Sequence, residues 1–108
     1  MAKIENRKIF LSAIEDKKIV KVKVDTFEKW IIERYCVPFD YWPWRRKLKV
    51  NPNRYHFYDL DSPDGKHNLS ILPEQLLKIE ITENEFSPWE YVKWKPNWFV
   101  FRNWWMYS

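Results

Sequence analysis

The sequence predicts a mainly β domain: a small, strongly bent antiparallel barrel of about five strands with an N-terminal helix. Three observations carry this expectation. Apolar residues recur at helical spacing over residues 4–16 and switch to period two from Ile19. Short strand-like runs then follow one another with tight connections. Finally, Tyr55–Leu72 reads as a β-hairpin turning at Ser62-Pro63-Asp64-Gly65, where the chain places its only glycine.

In the helix, Ile9 and Ala13 sit four apart, as do Phe10 and Ile14, beside Lys8, Ser12 and Glu15. So narrow an apolar stripe suits a helix that caps a sheet. Val20, Val22 and Val24 alternate with Lys21, Lys23 and Asp25, a half-buried strand with a wet basic face. Asp25-Thr26 turns the chain. Trp30–Val37 reads as a second strand ended by Pro38, which has no N–H to give a ladder. Its facing stays open, because Trp30/Ile32 and Ile31/Tyr35 are competing apolar sets. Residues 39–53 read as a loop with room for a short strand at Leu48–Val50.

At the hairpin turn, Pro63 supplies the φ of position i+1, Asp64 can bond its own backbone, and Gly65 accepts positive φ. With Gly65 as a bulged residue, Ser62 pairs with Lys66, His67 with Asp61, and His56 with Leu72. Tyr55, Phe57, Leu69 and Ile71 then share one face, and Tyr58, Asn68 and Ser70 the other. Pro73-Glu74-Gln75-Leu76 predicts one helical turn. Leu77–Thr82 predicts the last strand, with Ile79 and Ile81 inward. Phe86–Tyr91 reads as irregular, held by Pro88. The tail from Trp98 to Trp105 is too aromatic to float in water. The chain is therefore read as a single domain over residues 1–108, with a barrel core at 19–82 and an aromatic extension at 83–108 packing on it.

Aromatic residues make up 19% of the chain, including eight tryptophans, which gives much burial per residue and argues against disorder despite 31% charged residues. The net charge of +4 is uneven. Residues 1–58 hold fourteen Lys and Arg against seven Asp and Glu, whereas residues 59–92 hold two against eight. Such a dipole favours a polyanionic partner or head-to-tail contact. A single cysteine, Cys36, excludes an internal disulfide and leaves no zinc framework. No apolar run approaches a membrane span or a signal peptide, so the expectation is a cytoplasmic protein with no membrane partner. Asp59–Gly65 has the wrong aspartate spacing for a calcium loop. With no glycine-rich phosphate loop, and Cys36 in an apolar strand without a base beside it, the expectation is a protein that is not an enzyme and needs no cofactor or metal.

The order of features over roughly Ile9–Phe86 resembles the WYL domain, a bacterial module with an Sm-like β-barrel core. The resemblance runs through Phe10-Leu11-Ser12-Ala13-Ile14 followed by Ile19-Val20-Lys21-Val22, then Arg34-Tyr35-Cys36-Val37-Pro38. Tyr55-His56-Phe57 falls near the name-giving tripeptide, and His67–Ile71 and Leu76–Glu80 resemble the closing strands. The stretch that usually carries ligand-contacting arginines in the family offers His67, Glu74 and Gln75 here. The resemblance implies binding of nucleic acid or a nucleotide-like anion in a regulatory setting.

The residues themselves point to the same chemistry. Trp42 and Trp44 lie beside Arg45, Arg46, Lys47 and Lys49, so bases can stack while cations neutralise phosphate, at about 1–3 kcal/mol per stacked base. Tyr55 joins this contact set. The leading expectation is a binding module for single-stranded nucleic acid or another anionic ligand. The alternative is a protein-interaction or homo-oligomerisation module that uses Trp98, Phe101, Trp104 and Trp105 as an interface. In the first case those tail residues close the core within one chain.

Overall fold

The computed structural model describes residues 2–28, 30–43, 53–61, 67–92, 98, 100 and 102–104. Helix α1 (Ala2–Asp16) precedes β1 (Lys18–Asp25), β2 (Ile31–Pro43), β3 (Asn53–Asp59) and β4 (His67–Ile71). A 3-10 turn at Pro73–Gln75 leads into β5 (Leu76–Glu85), and a short α2 (Pro88–Tyr91) follows. The strands form one antiparallel sheet in the order β4-β3-β2-β1-β5. β4 and β5 stand at its two edges, and no pairing between them closes the sheet among the described residues.

Helix α1 turns Phe10, Ala13 and Ile14 fully inward, as its stripe predicts. Phe10 meets Tyr55 and Phe57 edge-on, with ring centroids 4.9 and 5.3 Å away, the arrangement aromatic quadrupoles prefer. The Asn6 amide donates to the Leu76 carbonyl at 3.0 Å and ties the helix to β5. The helix ends at Lys17, which takes φ 55°, a left-handed position usually left to glycine. Two hydrogen bonds hold it there: Lys17 N–H to the Ile14 carbonyl (3.2 Å) and Phe86 N–H to the Lys17 carbonyl (2.9 Å).

Val20, Val22 and Val24 of β1 are buried as their alternation predicts. β2 departs from expectation by running through Pro38 to Pro43, so Phe39–Pro43 is strand and not loop. The reason is a register shift between Pro38 and Asp40, a bulge beside which a residue without N–H is tolerated. Neither competing set faces inward as a whole: Ile31 and Tyr35 are exposed and Ile32 packs against the core, but its set-mate Trp30, just before β2, is 63% exposed. Leu48–Val50 and the Ser62–Gly65 turn lie outside the described residues.

The hairpin register is corrected by two residues. His67 pairs with Asp59 and His56 with Ser70, rather than with Asp61 and Leu72. A two-residue slip leaves every side chain on its face, so Tyr55, Phe57, Leu69 and Ile71 still gather on one side. The cause is visible in β2: Leu60 N–H donates to the Tyr35 carbonyl (2.9 Å), and the Asp61 carboxylate accepts from Tyr35 N–H (2.7 Å). The chain after Asp59 therefore stays with β2 instead of extending the β3–β4 ladder.

The expected turn at Pro73 is present, with Leu72 N–H donating to the Gln75 side chain (2.9 Å) and the Gln75 amide donating to the Asp25 carbonyl (3.2 Å). β5 buries Ile79 but not Ile81, which the alternation placed inward; it is 42% exposed near the edge of the sheet. Pro88–Tyr91 forms one helical turn where irregular chain was expected.

The described part of the tail is built into the fold. Trp104 is 2% exposed, lies edge-on to Phe86 (5.3 Å) and Trp98 (5.6 Å), and donates its indole N–H to the Ile14 carbonyl at 2.8 Å. That carbonyl, in the last turn of α1, also accepts from Lys17 N–H, so the indole takes its second lone pair. Asp40, buried on β2, accepts from Val100 N–H (2.8 Å) and from Arg102 Nη2 (3.4 Å). The Arg102 guanidinium lies 4.0 Å from the Trp98 ring centre and 4.5 Å from that of Trp104. Burial lowers its pKa to about 10 against the opposing pull of Asp40, so it remains charged at neutral pH.

Replacing Arg102 with Met leaves the buried Asp40 without its counter-charge and should destabilise the protein by about 3–5 kcal/mol in urea unfolding. Adding Asp40→Asn should recover part of that loss, and additive effects would count against coupling of the two residues.

Candidate nucleic-acid interface

The C-terminal end of β2 and the start of β3 are paired: Tyr41 with Tyr55, Trp42 with Arg54, and Pro43 with Asn53. This pairing brings the two ends of the basic connection together, so residues 44–52 leave and return at one end of the sheet. Trp44, Arg45, Arg46, Lys47 and Lys49 lie outside the described residues, and for Trp42 only the backbone is described.

At the base of the connection, Tyr55 is 3% exposed and belongs to the core rather than to a surface that stacks bases. Burial, with a smaller contribution from neighbouring Tyr41, pushes its phenol above the ordinary tyrosine range, while Arg7 pulls the other way. Tyr41 is half-buried, 4.8 Å from the Tyr55 ring, and has the Arg7 guanidinium 4.9 Å from its ring centre. The structure thus adds three residues that the sequence reading did not select: Arg7 from α1, Tyr41 from β2 and Arg54 from β3. Arg54 was within reach, since it flanks the tyrosine already chosen. Arg7 was not, because only the packing of α1 shows which strand end it approaches.

Several basic residues elsewhere have carboxylate partners. On the outer face of the sheet, Lys21, Val22, Lys23, Glu33, Lys78 and Glu80 surround a shallow depression of about 100 Å³. There Lys21 contacts Glu33 at 3.3 Å and Lys78 contacts Glu80 at 3.0 Å. Glu33 raises the Lys21 pKa through its hydrogen bond and charge, and Lys78 lowers that of Glu80 in the same way. Such a face offers a polyanion little net attraction.

Of the tail residues, Trp98 is half-buried and Trp104 is enclosed, while Phe101 and Trp105 lie outside the described residues. His56 Nδ1 and Ser70 Oγ lie 2.8 Å apart across the β3–β4 ladder. Cys36 is buried, and desolvation, reinforced by Asp59 and Asp61, pushes its thiol far above the ordinary range. Reactive cysteines sit in the opposite environment. Among the described residues, no three His, Cys, Asp or Glu side chains gather to hold a metal ion, and no helix is long and apolar enough to cross a membrane. Comparison with family models, curated proteins and solved structures finds no match to the chain.

The Cys36 thiol gives a pH signature. It keeps its proton when folded but releases it near 9.0 when unfolded, so the unfolded state holds fewer protons above that value and stability falls as pH rises. Thermal melts should show a midpoint dropping between pH 9 and 10, and Cys36→Ala should flatten the slope. An unchanged slope in that variant would exclude Cys36 as the source.

Proposed function

We propose that the chain is a binding module for nucleic acid or another anionic, nucleotide-like ligand, acting through the Trp42–Lys49 connection. The observation that carries this reading is the arrangement at the base of the connection. Arg7 lies over Tyr41 at the strand ends from which the basic segment departs, and the neighbouring Arg54 adds a further cation. Cations there add to Arg45, Arg46, Lys47 and Lys49, whereas Lys21 and Lys78 of the outer sheet face meet carboxylates within the chain. Trp42 and Trp44 would stack on bases, and the cations would neutralise the phosphates.

The finer fold reading belongs to the same proposal. A helix, five antiparallel strands and a 3-10 turn before the last strand support a bent, Sm-like barrel and the likeness to WYL domains. In this reading the module works in the bacterial cytoplasm, in a regulatory setting. The alternative, an interaction module built on the tail, draws less support because Trp104 and Arg102 are already enclosed within the chain.

Titration with single-stranded RNA or DNA should quench tryptophan fluorescence. For about four neutralised phosphates, the logarithm of affinity should fall against the logarithm of salt with a slope of about −3. Charge reversal at Arg45 and Arg46 should abolish the binding. Retained affinity in that variant, or no quenching at low salt, would remove the assignment.

A further inference from the structure

β5 is a ten-residue strand paired with β1 along one side; its first carbonyl, that of Leu76, is taken by Asn6 of α1, and along the rest of its other side no strand lies among the described residues. An unpaired edge is a template for another chain, and proteins blunt such edges with charges, bulges and proline. β5 has a bulge between its pairings with Lys23 and Val24, and it carries Lys78 and Glu80. It also carries two exposed large apolar side chains, Leu77 at 40% and Ile81 at 42%. Charges alone would protect the edge better without them.

The order Leu77-Lys78-Ile79-Glu80-Ile81 suggests what these residues are for. Run antiparallel against itself with a two-fold axis at Ile79, the segment sets Lys78 opposite Glu80 twice and Leu77 opposite Ile81 twice. Other registers conflict. An axis at Glu80 opposes two glutamates, and an axis at Lys78 opposes two lysines. An axis between Ile79 and Glu80 sets an inward apolar residue against an outward charge. An axis at Ile81 puts Ile79 opposite Glu83.

We propose that β5 is a homodimer edge, pairing antiparallel with β5 of a second copy about Ile79. Such an interface is isologous, so one set of contacts is made twice and closes without forming fibres. The Lys78–Glu80 contact of 3.0 Å within one chain becomes part of a four-charge cluster of alternating sign. Leu77 and Ile81 lose their exposure to water, and the two sheets join into one. The dimer is independent of the nucleic-acid reading, which rests on the segment joining β2 to β3 in the sequence.

Sedimentation of the intact chain over a range of concentrations tests the proposal. The mass should rise with concentration from 13.6 kDa toward twice that value. Lys78→Glu opposes glutamates at both pairs and should raise the dimer dissociation constant about tenfold or more. Glu80→Lys alone should do the same by opposing lysines. The swap Lys78→Glu with Glu80→Lys restores complementarity and should restore the dimer. A monomer at every concentration overturns the proposal, as does a dimer indifferent to Lys78→Glu, which would place the contact elsewhere. A swap variant that stays monomeric overturns the Ile79 register.

Discussion

Asp40 lies on β2, two residues beyond a proline, out of reach of water and more than fifty residues in sequence from the groups it binds. It holds the Val100 N–H and the Arg102 guanidinium, and Trp98 and Trp104 lie around that guanidinium. An ion pair taken out of water gains little over a well-packed apolar cluster, but it tolerates the loss of either partner badly. Its consequence here is one of placement. It seats the tail so that Trp104 meets the end of α1, and the indole N–H answers the Ile14 carbonyl there. The helix, the middle of the sheet and the chain's last described residues are thereby linked by one set of contacts.

The same enclosure shapes the functional reading. With Trp104 and Arg102 inside, the described tail contributes stability rather than an exposed aromatic surface. On the outer sheet face Lys21 and Lys78 are each paired with a glutamate. At the strand ends that flank the basic connection, α1 adds Arg7 through its packing on Tyr41. An N-terminal helix that covers the core thus also contributes charge at the strand ends.

Much of this fold was legible in the sequence because it depends on local periodicity. The stripe of α1, the alternation of Val20, Val22 and Val24, and the turn opened by Pro73 each follow from neighbours a few residues apart. What escaped depends on distant partners. Pro38 reads as a strand end until the bulge before Asp40 is known. Asp40 falls in the stretch that reads as a loop, because its partner lies 62 residues away. The hairpin faces followed from the alternation of apolar residues, but the register turned on Leu60 and Asp61 binding Tyr35 of another strand. Ile81 follows the inward period, yet its place on an edge strand leaves it partly wet. At the candidate site, the basic-aromatic run was plain in the sequence. The apolar alternation already put Tyr55 on the face of Phe57 and Ile71, which its choice as a contact residue overlooked, whereas the arrival of Arg7 depends on the packing of α1 near Tyr41.

The claim that the tail is part of the core is most directly tested by hydrogen exchange at the Trp104 indole N–H, followed by NMR. Held to the Ile14 carbonyl in the interior, that proton should exchange only through global unfolding, at the rate of the slowest backbone amides of β1. Exchange within minutes, while the β1 amides remain protected, would show a tail that leaves the body of the fold freely and would contradict the account.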